Sequence, residues 1–196
     1  MPVAKGARLD PARTRAEILR AATALFYAHG LDGIGVAELC ARAGISKETL
    51  YRHFGSKDGL VEAVLEARSD RTVHWLERAA EAAGDDPERQ LAAVFDALEG
   101  WYGEPAFRGC AVVNAAIQHR EGPALGIAVR HLVRYHDLLT GIAARAGAAD
   151  PAAVGAQLLY LLEGATVVAG HQGGDGARGP TGQAKAAALT LLRAAR

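Results

Sequence analysis

The run Ser46-Lys47-Glu48-Thr49-Leu50-Tyr51-Arg52-His53-Phe54 holds the residue types and spacing most suited to chemistry. Read as one short helix, it sends Leu50 and Phe54 to one side and Lys47 and Tyr51 to another. That separation gives apolar anchors behind and polar donors in front. A short helix of this kind fits the major groove of DNA, where side chains reach base edges. Lys, Arg, Ser, Thr and Tyr groups around it can hold phosphate oxygens. Other chemistries leave no comparable mark. There is no Gly-x-Ser-x-Gly, phosphate loop, HExxH or CxxC. His119, His131, His136 and His171 lack tight ligand spacing with an acid or thiol, so no metal and no cofactor is expected. Cys40 and Cys110 stand far apart and read as buried, reduced thiols.

The elements that must position this run are helical. A helix begins at Asp10-Pro11, a good cap followed by a residue suited to the first turn, and ends at His29-Gly30. Ile18, Ala22, Leu25 and Phe26 form its apolar face. A brief helix spans Val36 to Ala43, carrying Val36, Leu39, Cys40 and Ala43 inward, and Gly44 stops it. Ser46 caps the next, Lys47 to His53, which buries Leu50. Ser56 caps a long helix from Lys57 into the early eighties. Two short helices joined at Gly44 make a helix-turn-helix. Later helices are expected over 87–102, 107–120, 123–146, 151–171 and 181–195, with Gly- and Pro-containing breaks between them. The Gly173 to Pro180 stretch is the most loop-like segment.

Composition agrees with an all-α class. Ala and Leu are abundant, β-branched residues are few outside short runs, and no clear period-2 alternation occurs. Net charge is zero, but residues 1–57 carry nine Lys and Arg against five Asp and Glu, leaving the remainder acidic by the same excess. Any nucleic-acid contact therefore belongs at the N-terminal end. No hydrophobic leader opens the chain, and the apolar stretch Leu158 to Gly170 contains Glu163 and is short for a bilayer span. These features suggest a cytoplasmic protein with no membrane partner.

From Thr14 through Leu65 the sequence resembles the DNA-binding domain of TetR-type transcription regulators. The matching pieces are Ala21-Ala22-Thr23-Ala24-Leu25-Phe26 with Gly30, Val36-Ala37-Glu38-Leu39, Ala43-Gly44-Ile45-Ser46-Lys47, and Thr49-Leu50-Tyr51-Arg52-His53-Phe54 with Lys57. A looser match runs through Phe107-Arg108-Gly109-Cys110 and Asn114-Ala115-Ala116. The resemblance implies a three-helix helix-turn-helix domain over 1–56 with an arm at 1–10. A larger helical effector-binding and dimerisation domain over 57–196 follows, and the 57–83 helix links the two. It implies that Lys47, Tyr51 and His53 touch DNA, and that Lys57 binds phosphate. Ser46 and Thr49 belong to the same surface. Glu48 and Arg52 occupy variable positions and help set the operator sequence. Arg–guanine and Glu–cytosine are the natural pairings, while Glu48 could instead tune indirectly. One departure is Gly35, where the family often has a capping Thr or Ser.

The rear half would then sense a small, largely hydrophobic effector. Trp101, Phe107, Asn114, Ile117, Gln118, Tyr135, Leu139 and Glu163 are the candidate ligand residues, with Asn114, Gln118, Tyr135 and Glu163 as polar anchors. The 151–171 helix is apolar around much of its girth, and the last helix carries an Ala/Leu stripe. The resemblance implies that these two pair with their copies in a homodimer, with Gly164 and Ala165 permitting close approach. The expected function is a repressor released by its effector from a near-palindromic, double-stranded operator. An enzyme and an effector-free nucleoid-type binder are the rivals.

Overall fold

The computed structural model describes residues 10–172 and 178–196. Among these the chain forms nine α-helices and no strand. The helices are α1 (Pro11–His29), α2 (Val36–Ala43), α3 (Lys47–Phe54), α4 (Lys57–Ala82), α5 (Pro87–Tyr102), α6 (Ala111–Gln118), α7 (Pro123–Arg145), α8 (Pro151–Gln172) and α9 (Arg178–Ala194). Local chemistry sets the boundaries. Asp10, Ser46, Ser56 and Asp86 each accept a hydrogen bond from a first-turn N–H, satisfying donors that the helix cannot. Gly35 caps α2 with no side-chain bond, as its missing side chain requires. Pro opens α1, α5, α7 and α8, where its absent N–H costs nothing. Gly44, at φ 66°, makes the left-handed turn between α2 and α3.

Two helices differ from expectation. α6 is shorter than 107–120, because Gly109 takes φ 86° and interrupts the helix while the Asn114 side chain donates to the Arg108 carbonyl. α9 starts at Arg178 rather than 181. The remaining part of the loop-like segment, 173–177, lies outside the described residues, as do residues 1–9 of the expected arm.

The apolar core has two centres. The front one joins Ile18, Ala22 and Phe26 of α1, Leu39 and Cys40 of α2, Leu50 of α3, and Leu60, Val61, Val64 and Leu65 of α4. It continues into Cys110, Val112, Ala115 and Ala116 and into Ala124, Ile127 and Ala128. Packing is thus continuous across the boundary drawn at residue 56, and α6 joins the same cluster through α4 and α7. The rear centre takes Val73, Leu76 and Ala80 from the far half of α4, together with residues of α5, α7, α8 and α9. A 26-residue helix is about 39 Å long at 1.5 Å per residue, so α4 reaches both centres. Arg130 and Arg134 of α7 pair with Glu66 and Asp70 along the packed face between α4 and α7.

The apolar run Leu158–Gly170 lies in a 22-residue helix that is, by length and composition, long enough to cross a membrane. The run itself is short for a bilayer span, as expected. Its apolarity has another use here, since Leu158, Leu162, Ala165 and Ala169 are buried in the rear centre. α8 also approaches α7 closely. A Cβ placed on Gly155 would meet the Thr140 backbone at 3.0 Å and its Oγ1 at 2.2 Å. An exposed helical Gly→Ala change normally gains about 1 kcal/mol. Gly155→Ala is instead expected to lose about 1–3 kcal/mol, because two helix backbones must separate. Thermal unfolding of the variant by circular dichroism checks this, and a raised Tm would contradict the tight crossing.

Candidate nucleic-acid interface and ligand cavity

The eight residues of α3 divide cleanly between anchor and surface. Leu50 is fully buried and Phe54 half-buried, so the helix is fixed from behind. Lys47, Glu48, Tyr51 and Arg52 are exposed, Tyr51 at 46% despite its large ring. Thr49 and His53 sit at the edge, half-buried. Ser46 Oγ accepts from the Thr49 N–H at 3.1 Å and lies 2.9 Å from Thr49 Oγ1, which uses one of the two hydroxyl protons and leaves the other for a further acceptor. Arg52 donates to Glu48 at 2.6 Å, with both side chains mostly in water. Such an exposed pair is worth well under about 1 kcal/mol, so the guanidinium can exchange partners at little cost. Arg15 lies 4.7 Å over the Phe54 ring, and Arg13 pairs with Glu17 at 3.0 Å. Lys57 donates to the Leu31 carbonyl at 2.7 Å and thereby ties the start of α4 to the α1–α2 loop. Two of its three ammonium protons remain for another acceptor.

A cavity of about 290 Å³ opens between α6, the loop before it, and α8. Val113, Asn114 and Ile117 line one side, Glu163, Thr166 and Val167 the other, with Arg108 to Cys110, Gly170 and His171 at its ends. Most of its polar groups are already bonded. Asn114 Nδ2 donates to the Arg108 carbonyl at 2.8 Å. Thr166 Oγ1 donates to the Leu162 carbonyl at 3.0 Å and accepts from the Tyr102 hydroxyl at 2.5 Å. His171 Nδ1 lies 2.8 Å from the Val167 carbonyl. Glu163 is the exception: its Oε1 is buried with no partner, and burial pushes its carboxyl up to about 7.

Beside the cavity, Cys110 Sγ lies 3.5 Å from His131 Nε2, and His131 Nδ1 lies 3.0 Å from Ser69 Oγ. His131 is fully buried, and burial, aided by Arg134, pulls its imidazole down to about 4. Burial drives the Cys110 thiol up to about 11, so the pair stays neutral. The front and rear halves also meet here. The Tyr27 hydroxyl accepts from the Arg108 N–H at 2.7 Å and donates to the Gly109 carbonyl at 3.2 Å. Arg68 of α4 stacks 4.5 Å over the Tyr27 ring.

The family model described as bacterial regulatory proteins of the tetR family matches residues 18–64, which cover α2, α3 and their supports. SCO4454, a TetR-family transcriptional regulator of Streptomyces coelicolor, superposes with a TM-score of 0.85 at 29% identity, over 94% of this chain and 96% of that one. A TetR-type transcriptional regulator of Streptomyces avermitilis, sav143, is 35% identical over 93% of this chain and 97% of its own, with a TM-score of 0.80. The chain belongs to the TetR family.

Among curated relatives of this TetR-family protein, the transcriptional activator FasR of Mycolicibacterium smegmatis is 38% identical over 98 residues, 48% of this chain and 45% of FasR. The chain spans about half the length of the curated relatives it matches. TetR-family proteins are transcriptional regulators, and the all-α architecture is theirs.

Within this family member the eight sequence-selected ligand residues fall in different places. Asn114, Ile117 and Glu163 come together on the α6–α8 cavity. Trp101 lines a separate, open groove of about 410 Å³ between α4 and α5, edge-on to Trp75 with ring centres 6.1 Å apart. Phe107 is packed between Trp101 and Tyr102 at 4.9 and 4.8 Å. Tyr135 and Leu139 are buried in the rear centre. Gln118 borders a hollow of about 220 Å³ against α1, with Tyr27 and Gly30. Sequence reasoning did not select Thr166, Val167, Gly170 and His171 for the cavity, nor Tyr27 for the junction. Their α8 spacing reads equally well as core or interface, and a lone tyrosine on α1 carries no signal.

Proposed function

We propose that this chain is a homodimeric, sequence-specific DNA-binding regulator of the cytoplasm. It acts as a repressor and leaves a near-palindromic operator when a small effector binds. The observation that carries the reading is α3 itself: Lys47, Glu48, Tyr51 and Arg52 stand outward on a helix anchored by Leu50 and capped by Ser46. A base-reading helix needs that combination of rigid backing and free polar ends. In this reading Arg52 leaves Glu48 for a guanine edge, and Lys47, Tyr51 and His53 hold the backbone with Thr49 and Ser46. Lys57 adds one phosphate contact while keeping its bond to Leu31.

Dimerisation through α8 and α9 is supported by the faces that those helices leave uncovered. Tyr160, Val167 and Val168 are large and exposed on α8, and Gly164 beside them has open space over its Cα. On α9, Gly182, Ala186 and Ala187 are exposed and small, which permits close helix approach. Effector release is supported by the position of α6. Val113, Asn114 and Ile117 face the cavity while Val112, Ala115 and Ala116 pack into the front core. A ligand that moves α6 therefore strains the helix-turn-helix domain, and the Tyr27 bonds to Arg108 and Gly109 carry the displacement to α1. Coupling of this type is typically about 1–3 kcal/mol.

The test is selection of bound duplexes from a random DNA pool with purified, ligand-free protein. The expected product is a near-palindrome with half-sites about one helical turn apart or a multiple of it. Its affinity should fall steeply with salt as phosphate contacts release counterions. No enrichment from folded dimer, or affinity indifferent to salt, would overturn the reading. A second reading, activation, is favoured by the name of the relative FasR. Transcription in vitro from a template bearing the selected site separates the two: transcript decreases for a repressor and increases for an activator.

A further inference from the structure

We propose that the α6–α8 cavity takes an apolar ligand bearing a protonated amine, whose ammonium is bound by the Glu163 carboxylate. The inference rests on the reading of this cavity as the effector site and names the ligand's chemical class.

No described residue donates a hydrogen bond to the Glu163 carboxyl; its Oε1 is closed off by the protein around it, and its Oε2 is the oxygen left accessible beside the cavity. A buried carboxyl oxygen left without a donor is costly, and proteins seldom retain one without compensation. Most neighbouring donors are committed elsewhere, and the Tyr135 hydroxyl, close enough to feel the Glu163 charge, does not bond it. Asn114 is tied to the Arg108 carbonyl, and Arg108 Nη1 donates to the Pro105 and Phe107 carbonyls. The Tyr102 and Thr166 hydroxyls bond each other. What fills the cavity can bring a donor to the accessible oxygen of this carboxyl. Val113, Ile117 and Val167 give the wall an apolar stretch suited to a hydrophobic body, with Arg108 and His171 at its ends. An anionic head would meet the carboxylate at close range, and a neutral hydroxyl would supply one bond without charge. An ammonium supplies a donor and a counter-charge together, giving a charge-assisted bond in a place with little water. Burial has already raised the Glu163 carboxyl to about 7, so a bound cation restores the ionised form that desolvation disfavours.

The probes are three apolar frameworks of increasing size, phenylbutyl, naphthylmethyl and adamantylmethyl, each carrying a primary amine, an alcohol or a carboxylate. Affinities for the full chain are measured by calorimetry near neutral pH. The amine should bind at least about ten-fold more tightly than the alcohol on a framework that fits. Glu163→Gln and Glu163→Ala should each remove that preference and leave alcohol affinity within about three-fold, with thermal unfolding showing that both variants fold. Equal binding of amine and alcohol by the unaltered protein, no binding by any amine, or an amine preference that survives both substitutions would overturn the assignment. Operator affinity with the amine present tests the underlying reading separately. Glu163-dependent amine binding that leaves operator affinity unchanged supports the ligand class and removes the effector role.

Discussion

Leu50→Ala is expected to abolish operator binding and to cost about 2–5 kcal/mol of stability at once, whereas Tyr51→Ala loses binding alone. The two residues are adjacent in sequence but a third of a turn apart on α3. Leu50 has no exposed surface and fills the space between α1, α2 and α4. Its truncation removes buried methyl groups and leaves a cavity in the middle of the front core, the situation with the largest penalties among core substitutions. Because α3 is only eight residues long, it has little stability of its own and depends on that packing. Tyr51 is nearly half exposed, and no described residue bonds its hydroxyl. Its loss should change unfolding by no more than about 0.5 kcal/mol. Operator affinity should fall about ten- to hundred-fold, since each half of a dimer loses a contact. Differential scanning calorimetry and fluorescence anisotropy with the selected duplex measure the two quantities on the same preparations. A Tyr51→Ala protein that binds as tightly as the parent would remove this face of α3 from the interface. Equal stability losses in both variants would mean that the helix is not divided into anchor and reading face.

The second large effect is a pH dependence of stability to which two buried groups contribute in opposite senses. His131 has a folded value near 4 against about 6.5 when unfolded. Between those values the unfolded chain binds the extra proton, so stability is full above about pH 6.5 and falls as pH drops through 4. A shift of that size corresponds to about 3 kcal/mol. Glu163 runs the other way. Its folded value near 7 lies above the unfolded one, so the folded state holds the proton longer, and stability falls as pH rises from about 4.5 through 7. Over pH 4.5–6.5 the two slopes largely cancel. Glu163→Gln removes one of them. The variant should be more stable than the parent by about 1–3 kcal/mol at pH 7.5, by almost nothing at pH 4.5, and should show the His131 slope uncovered. Urea titrations of both proteins at half-unit pH steps provide the comparison. A constant difference across that range would show that the Glu163 carboxyl is not held in its neutral form.

Local residue preferences set the helices and the side of α3 that faces outward. Asp10, Ser46, Ser56 and Asp86 act as caps wherever they stand, and Gly44 can turn left-handed without a penalty, because these preferences are settled within a few residues. The facing of α3 was legible for the same reason: 3.6 residues per turn place Leu50 and Tyr51 on different sides of any helix. Where the rear-half residues meet depends on contacts between distant parts of the chain. Trp101, Asn114, Gln118 and Tyr135 all sit on helices with an apolar face, and periodicity cannot tell a core wall from a cavity wall. Only the packing of α6 against α8 puts Asn114 and Glu163 on one space, sends Trp101 to another, and leaves Tyr135 inside. The solitary state of Glu163 was equally invisible, since a missing hydrogen bond is a property of everything around a side chain. The Tyr27 link between front and rear spans more than eighty residues of chain, and no local rule reaches that far.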